Sequence, residues 1–257
     1  MIDSHCHLDL EPLVSRLPRT LQEAASAGVT RFVVPGVHPD GWQRMSELAV
    51  QYPAILPAFG IHPMHAAMAD QQTLEQLAQL APHGVAIGEI GLDPAYSVSL
   101  EVQESAFRAQ IGIALRLGLP LLIHCRRLFQ RTLQLLREEH AEQVGGIMHA
   151  FSGSPEMARE FVGLGFAISI SGTVTWTNAV KPLRVARELP LENLVMETDA
   201  PDMTPQSYRG RFNRPAWMAE TAARVALERG VALETVIVVT AGNTRRVLRL
   251  PDSIANG

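Results

Sequence analysis

Eight short apolar runs, each followed by a longer segment, set the strongest limit on how this chain can fold. The runs are Ile2 to His5, Arg31 to Val37, Ala54 to Ile61, Val85 to Ile90, Pro120 to His124, Gly145 to His149, Phe166 to Ser171 and Asn193 to Glu197. Rich in Val, Ile, Leu and Phe and bounded by turn residues, they read as strands of a parallel sheet buried on both faces. Helical periodicity falls near Arg19 to Ser26, Pro39 to Gln51, Gln72 to Leu80, Leu100 to Leu117, Leu128 to Glu139, Pro155 to Leu164 and Ala179 to Glu188. A tail from Pro215 to about Leu250 reads as further helix, interrupted near Gly230. Glycines at Gly28, Gly118 and Gly165 stand where left-handed helix caps are wanted. Eight such units in 257 residues is the arithmetic of a (β/α)8 TIM barrel, α/β in class, with parallel strands and a C-terminal helical tail. An open doubly wound sheet is the alternative. No linker or low-complexity tract divides the chain, so one domain over residues 1–257 is expected.

A chain of this length buries enough surface that neither a disulfide nor a metal is needed to hold it together. Any metal would serve chemistry. Only two cysteines occur, Cys6 and Cys125, each beside a histidine in a strand; they read as buried packing residues, with side chains on the face opposite their neighbours. A formal net charge of −4 argues against coating nucleic acid non-specifically, though it leaves room for a local basic site. The first ten residues carry Asp3, His5, His7 and Asp9, unlike a cleaved leader, and no apolar run is long enough to span a membrane. A cytoplasmic protein is expected, with no membrane partner and no obligate protein partner.

The ionisable residues gather at strand ends. His5 and His7 end the first strand, Glu89 the fourth, His124 the fifth, His149 the sixth and Asp199 the eighth. In a barrel these are carboxyl ends, the face where active sites are built, so positions nearly two hundred residues apart would converge. A lone histidine is more often a satisfied core residue; six end-of-strand ligands together point to metal. The i, i+2 spacing of His5 and His7 offers both imidazoles to one ion. His124 and His149 follow apolar runs, where an inward polar group needs a partner. Imidazole and carboxylate without thiolate suit catalytic Mg, Mn or Zn. Two such ions carry four positive charges against two returned by Glu89 and Asp199, which favours an anionic substrate. Many two-metal barrels bridge their ions with a carbamylated lysine; here the only lysine, Lys181, lies beyond the seventh strand, so Glu89 takes the bridging role.

The ordered series Ile2-Asp3-Ser4-His5-Cys6-His7, Gly60-Ile61-His62-Pro63, Gly88-Glu89-Ile90-Gly91-Leu92-Asp93, Ile123-His124-Cys125-Arg126, His149-Ala150-Phe151-Ser152-Gly153-Ser154, Glu197-Thr198-Asp199-Ala200-Pro201 and Asn243-Thr244 resembles the TatD family of metal-dependent hydrolases, in particular its YjjV-like branch. The resemblance runs from residue 2 to about 248. It implies a TIM barrel of the amidohydrolase superfamily, two divalent ions as cofactors and deoxyribonuclease activity, with DNA as substrate. Carried onto this chain, it implies that His5, His7, Glu89 and Asp199 hold one ion and that Glu89, His124 and His149 hold the second. Asp199 doubles as the catalytic base, and Glu89 is the second catalytic carboxylate. His62 is expected to contact the scissile phosphate, its plain alternative being a loop-capping imidazole. Arg126 is expected to grip a neighbouring phosphate or else to form a surface salt bridge. Glu197 is a candidate to orient a ligating histidine.

This chain departs from many relatives after Asp93, where it reads Pro94-Ala95-Tyr96-Ser97 in place of further aromatics. The run Tyr208 to Pro215 mixes basic and aromatic residues and reads either as a nucleic-acid contact or as a solvated loop. Arg126, Arg127, Arg131 and Arg137 read as half an exposed helix face. Three functions stand on the sequence: a two-metal phosphodiesterase acting on single-stranded DNA or 3′ ends, which is favoured; a hydrolase of an amide, lactone or ester; and a non-enzymatic scaffold, against which the complete ligand set argues.

Overall fold

In the computed structural model, which describes residues 1–251, the eight runs form one parallel sheet in sequence order. The strands are β1 Ile2–Asp3, β2 Arg31–Pro35, β3 Ile55–Phe59, β4 Ala86–Leu92, β5 Leu121–Cys125, β6 Gly146–Met148, β7 Phe166–Ile170 and β8 Leu194–Met196. Around them lie α1 Leu17–Ser26, α2 Trp42–Gln51, α3 Gln71–Leu80, α4 Leu100–Leu117, α5 Phe129–Glu138, α6 Pro155–Gly163, α7 Lys181–Glu188, α8 Met218–Arg229 and α9 Leu233–Val247. The seam between β8 and β1 is bridged by main-chain bonds from Ser4 N to Met196 O (3.0 Å), from Asp199 N to His5 O (2.9 Å) and from His7 N to Ala200 O (2.8 Å). Asp3 adds a side-chain stitch, accepting from Thr198 N at 2.9 Å. The sheet is therefore a (β/α)8 barrel, and the doubly wound alternative is excluded.

Two apolar clusters explain why the strand sequences are apolar throughout. One fills the barrel with residues such as Ile2, Val33, Leu122, Ile147, Ala167 and Val195. The other lies between the strands and the helical shell and holds Phe32, Phe59, Ile87, Ile123, Met148 and Ile168. Ala241, Leu248 and Leu250 join the interior cluster, so α9 and the residues after it plug one end of the barrel. Cys6 and Cys125 belong to the outer cluster, where the alternation of strand faces placed them. Interior positions Leu122 and Ile147 are followed two residues later by His124 and His149, so the apolar layer gives way to an ionisable one on the same face.

Three boundaries differ from the sequence reading. β4 does not end at Ile90: it continues to Leu92, with a register shift against β5 between Ile87 and Ile90 that sets Glu89 inside a bulge. β1 is paired only through Asp3, so His5 and His7 lie in the segment after the strand. Arg126 and Arg127 precede α5, which begins at Phe129, so the four arginines do not share one helix face. Arg131 is bidentate on Glu104 of α4, and Arg137 reaches Glu160 of α6, so these two tie neighbouring helices together. Among the described residues no helix is long and apolar enough to cross a membrane.

The Asn243-Thr244 motif is part of this scaffold. Asn243 Nδ2 donates to Leu191 O (2.8 Å) and Leu194 O (2.7 Å), fastening α9 to the start of β8. Truncating it removes two buried hydrogen bonds and leaves the Leu191 carbonyl with only the Leu194 N–H, at about 1–2 kcal/mol per bond lost. Asn243→Ala is expected to lower unfolding free energy by about 2–4 kcal/mol in urea titration while metal binding by the folded protein is unchanged. Both thiols are expected to be inert to a disulfide reagent at pH 8 until the chain unfolds, because burial pushes the Cys125 thiol up to about 12 and raises that of Cys6. Rapid native reaction of either would show that the outer core opens.

Candidate metal centre

Glu89 lies at the middle of the ionisable layer and is almost fully buried. Its position is set by main-chain bonds that bypass β3: Gly36 N donates to Gly88 O and Glu89 N to Gly36 O, both at 3.0 Å. Gly60, just past β3, makes room for this approach, since a Cβ there would sit 2.5 Å from the Gly88 carbonyl carbon. The peptides Gly88–Glu89 and Ala200–Pro201 are cis.

Five imidazoles face this carboxylate. Oε2 lies 3.1 Å from His5 Nε2 and 3.9 Å from His7 Nε2. Oε1 lies 2.7 Å from His124 Nδ1 and 3.6 Å from both His62 Nε2 and His149 Nε2. The two oxygens thus serve different sets of histidines. Asp199 Oδ1 joins the first set, 3.8 Å from His5 Nε2 and 3.6 Å from His7 Nε2, and lies 3.8 Å from His149 Nε2. Asp199 has φ +54°, a left-handed conformation costly for a residue with a side chain; bonds from Asp199 N to His5 O and from Asp202 N to Asp199 O hold it there.

Second partners fix which nitrogen each ring presents. Glu197 Oε2 is 3.1 Å from His149 Nδ1, and its Oε1 accepts from Ala150 N at 2.8 Å, so Nδ1 keeps its proton and Nε2 is the nitrogen turned inward, free to ligate once it gives up its own. Asp93 Oδ2 is 3.0 Å from His124 Nε2, which leaves Nδ1 toward Glu89. His62 is the reverse case: Nδ1 accepts from Met64 N at 3.2 Å, so the neutral ring bears its proton on Nε2 and is a donor toward the centre. Although His62 sits within ligand range of Glu89 and His124, this tautomer makes it a hydrogen-bond donor rather than a ligand.

Buried imidazoles cannot satisfy one another here. Among the described residues, neither nitrogen of His5 has a hydrogen-bond partner, nor does His7 Nδ1. His5 and His149 stack with ring centroids 3.5 Å apart, so both cannot carry a proton. Burial, and then the nearby His149, lower His5; against its own burial, Glu197, Asp199 and Glu89 push His149 up to about 10. Burial opposes ionisation of Glu89 and Asp199, but the surrounding histidines outweigh it and hold both below the ordinary carboxylate range. Orphaned, buried imidazole nitrogens facing ionised carboxylates are the donor set a divalent cation completes, and such a cation would displace the protons that the carboxylates hold on His7 and His149.

A cavity of about 930 Å³ opens over this layer; His7, His62, Glu89, His124, His149 and Asp199 form its floor, and Arg126, exposed on the rim, has no carboxylate partner among the described residues. His5 lies beneath. All six expected ligands therefore converge, with His62 among them and Arg126 at the entrance. The Tyr208 to Pro215 run is used within the fold: Tyr208 stacks on Trp217 at 4.0 Å, Arg214 pairs with Glu23, and Asn213 Nδ2 donates to Thr198 O and Asp202 O. Sequence reasoning missed Asp93 as the partner of His124. It also missed Gln103 and Gln110 of α4, which grip both main-chain groups of Asp93 and of Ile61, the residue before His62. Their spacing of two helical turns puts both on one side of α4 but does not mark that side as buried.

A carboxylate shared by imidazoles at the mouth of a parallel barrel defines a class, the metal-dependent hydrolases. The sequence pattern of the family described as "TatD related DNase" matches residues 2–249, and the chain belongs to the TatD family. It is 36% identical over 253 residues to the metal-dependent hydrolase YabD of Bacillus subtilis, covering 97% of this chain and 99% of that one. It is also similar to YjjV of Escherichia coli K12, whose crystal structure superposes with a TM-score of 0.92 at 34% identity over 98% of both chains. A TatD family hydrolase from Entamoeba histolytica, at 20% identity and a TM-score of 0.85, shares the fold.

Glu197 touches no solvent, and its role is to hold a ring. Glu197→Gln is expected to weaken divalent-metal affinity by roughly 10–100-fold in competition with a chromophoric chelator, with the fold retained. Unchanged affinity would show that His149 needs no such support.

Proposed function

We propose that the protein is a deoxyribonuclease that hydrolyses phosphodiester bonds of single-stranded DNA or 3′ ends, using two divalent ions (Mg, Mn or Zn). The observation that carries this reading is the division of Glu89, whose Oε2 faces His5 and His7 and whose Oε1 faces His124 and His149. In it, His5, His7, Glu89 and Asp199 hold one ion, and Glu89, His124 and His149 the other. Such a pair polarises a phosphoryl oxygen and lowers the pKa of water. Asp199, ionised and open to the cavity, accepts the proton of the attacking water. His62 donates from Nε2 to a phosphate oxygen while Met64 N keeps its ring in place. Arg126 on the rim meets a second phosphate through its planar fork. Glu197 and Asp93 keep the two rings of the second set aimed inward. The family's description as DNases supports the substrate class, as does the positive charge that two ions add to a floor with two ligating carboxylates. No protein or membrane partner enters this reading.

Hydrolysis of a short 5′-labelled single strand in Mg or Mn is expected to give a growing ladder, abolished by chelation and by Glu89→Ala or Asp199→Ala. His149→Ala is expected to lose nearly all turnover and metal from the second set while its circular dichroism stays native. No cleavage from protein shown to hold two ions would instead favour an amide, lactone or ester hydrolase.

A further inference from the structure

One wall of the cavity takes no part in the chemistry above. It is formed by the loop between β7 and α7. Trp176 ends the short turn Gly172–Thr175 that follows β7, is half-buried and lines the cavity. Its Nε1 donates to Thr204 O at 2.9 Å, and the Arg209 guanidinium lies over the ring at 4.7 Å. The indole is thus fixed at its edge and covered on one face, leaving the other face for a ligand. Lys181, the sole lysine, is the first residue of α7, is exposed, lines the same cavity, and has no carboxylate partner among the described residues.

A stiff indole backed by a cation and followed by a free ammonium group is the pairing that holds a nucleotide, base on ring and phosphate on charge. Loops after the seventh strand of such barrels are frequent phosphate sites. The cavity is also large for the reacting phosphate alone, lying at the upper end of the range for small-molecule pockets. We propose that Trp176 and Lys181 form a nucleotide subsite beside the metal centre: Trp176 stacks on a base next to the scissile phosphate and Lys181 pairs with the phosphate beyond it. This rests on the nuclease reading and deepens it. A base stacked on Trp176 has left its own helix, so the subsite selects unpaired strands, and it does so with little regard to sequence because every base has a π face.

The test compares single-stranded oligodeoxynucleotides with and without one abasic position, cleaved by the metal-loaded wild type and by Trp176→Ala, Trp176→Phe and Lys181→Ala. For the wild type, the abasic position that lies over Trp176 is expected to raise KM roughly 5- to 150-fold. Trp176→Ala should bind both substrates equally poorly, and Trp176→Phe should restore most of the discrimination. Lys181→Ala should keep the discrimination but lower the slope of log KM against log salt by about one. A phosphorothioate strand should quench tryptophan fluorescence in the wild type and not in Trp176→Phe, a readout that stands even if Trp176→Ala fails to fold. A wild type that cleaves DNA without discriminating at any abasic position, a Trp176→Ala protein that keeps the wild-type ratio, or quenching that persists in Trp176→Phe overturns the subsite alone. A metal-loaded wild type that cleaves no DNA overturns the nuclease reading and the subsite with it.

Discussion

One buried carboxylate that five imidazoles face from different strands is the constraint on which the rest of the structure turns. Glu89 is too deeply buried to be ionised alone, and the rings around it are too close to be protonated together. Cation binding resolves both problems at once, because it supplies positive charge without a proton on every ring. The surrounding structure keeps this tension in place. Gly36 and Gly60 let the backbone close on Gly88 and Glu89, Asp199 is held in a left-handed conformation, and Glu197 and Asp93 decide which nitrogens face inward.

The barrel makes such a site affordable. Its interior and outer cores are apolar and separate from the ionisable layer, so the strands are held together by packing and ladder bonds below the chemistry. The β8–β1 seam carries both structural bonds and ligands. His5, His7 and Asp199 sit on the segments whose backbones bridge it, so closure of the barrel and assembly of the first ligand set are one event.

Much of this was legible because strands report themselves twice, through apolar composition and through the period of two. Those signals placed His124 and His149 on the interior face. They also placed Cys6 and Cys125 in the outer core. Glu197 was readable as an orienter only through the resemblance carried by Glu197-Thr198-Asp199-Ala200-Pro201. The bulge at Glu89 was not, because a register shift is set by the neighbouring strand and leaves the apolar pattern unbroken. Gln103 and Gln110 were hidden for a related reason: a buried glutamine on a long helix looks like any polar position until the backbone it grips is known. Trp176 lies in a loop, where periodicity says nothing.

Anomalous diffraction from crystals of the protein loaded with manganese tests the central claim most directly. The account predicts two peaks about 3.5–4 Å apart, one on each side of the Glu89 carboxylate, the first against His5, His7 and Asp199 and the second against His124 and His149. A single peak that leaves Glu89 unshared, or ions bound away from these residues, would contradict it.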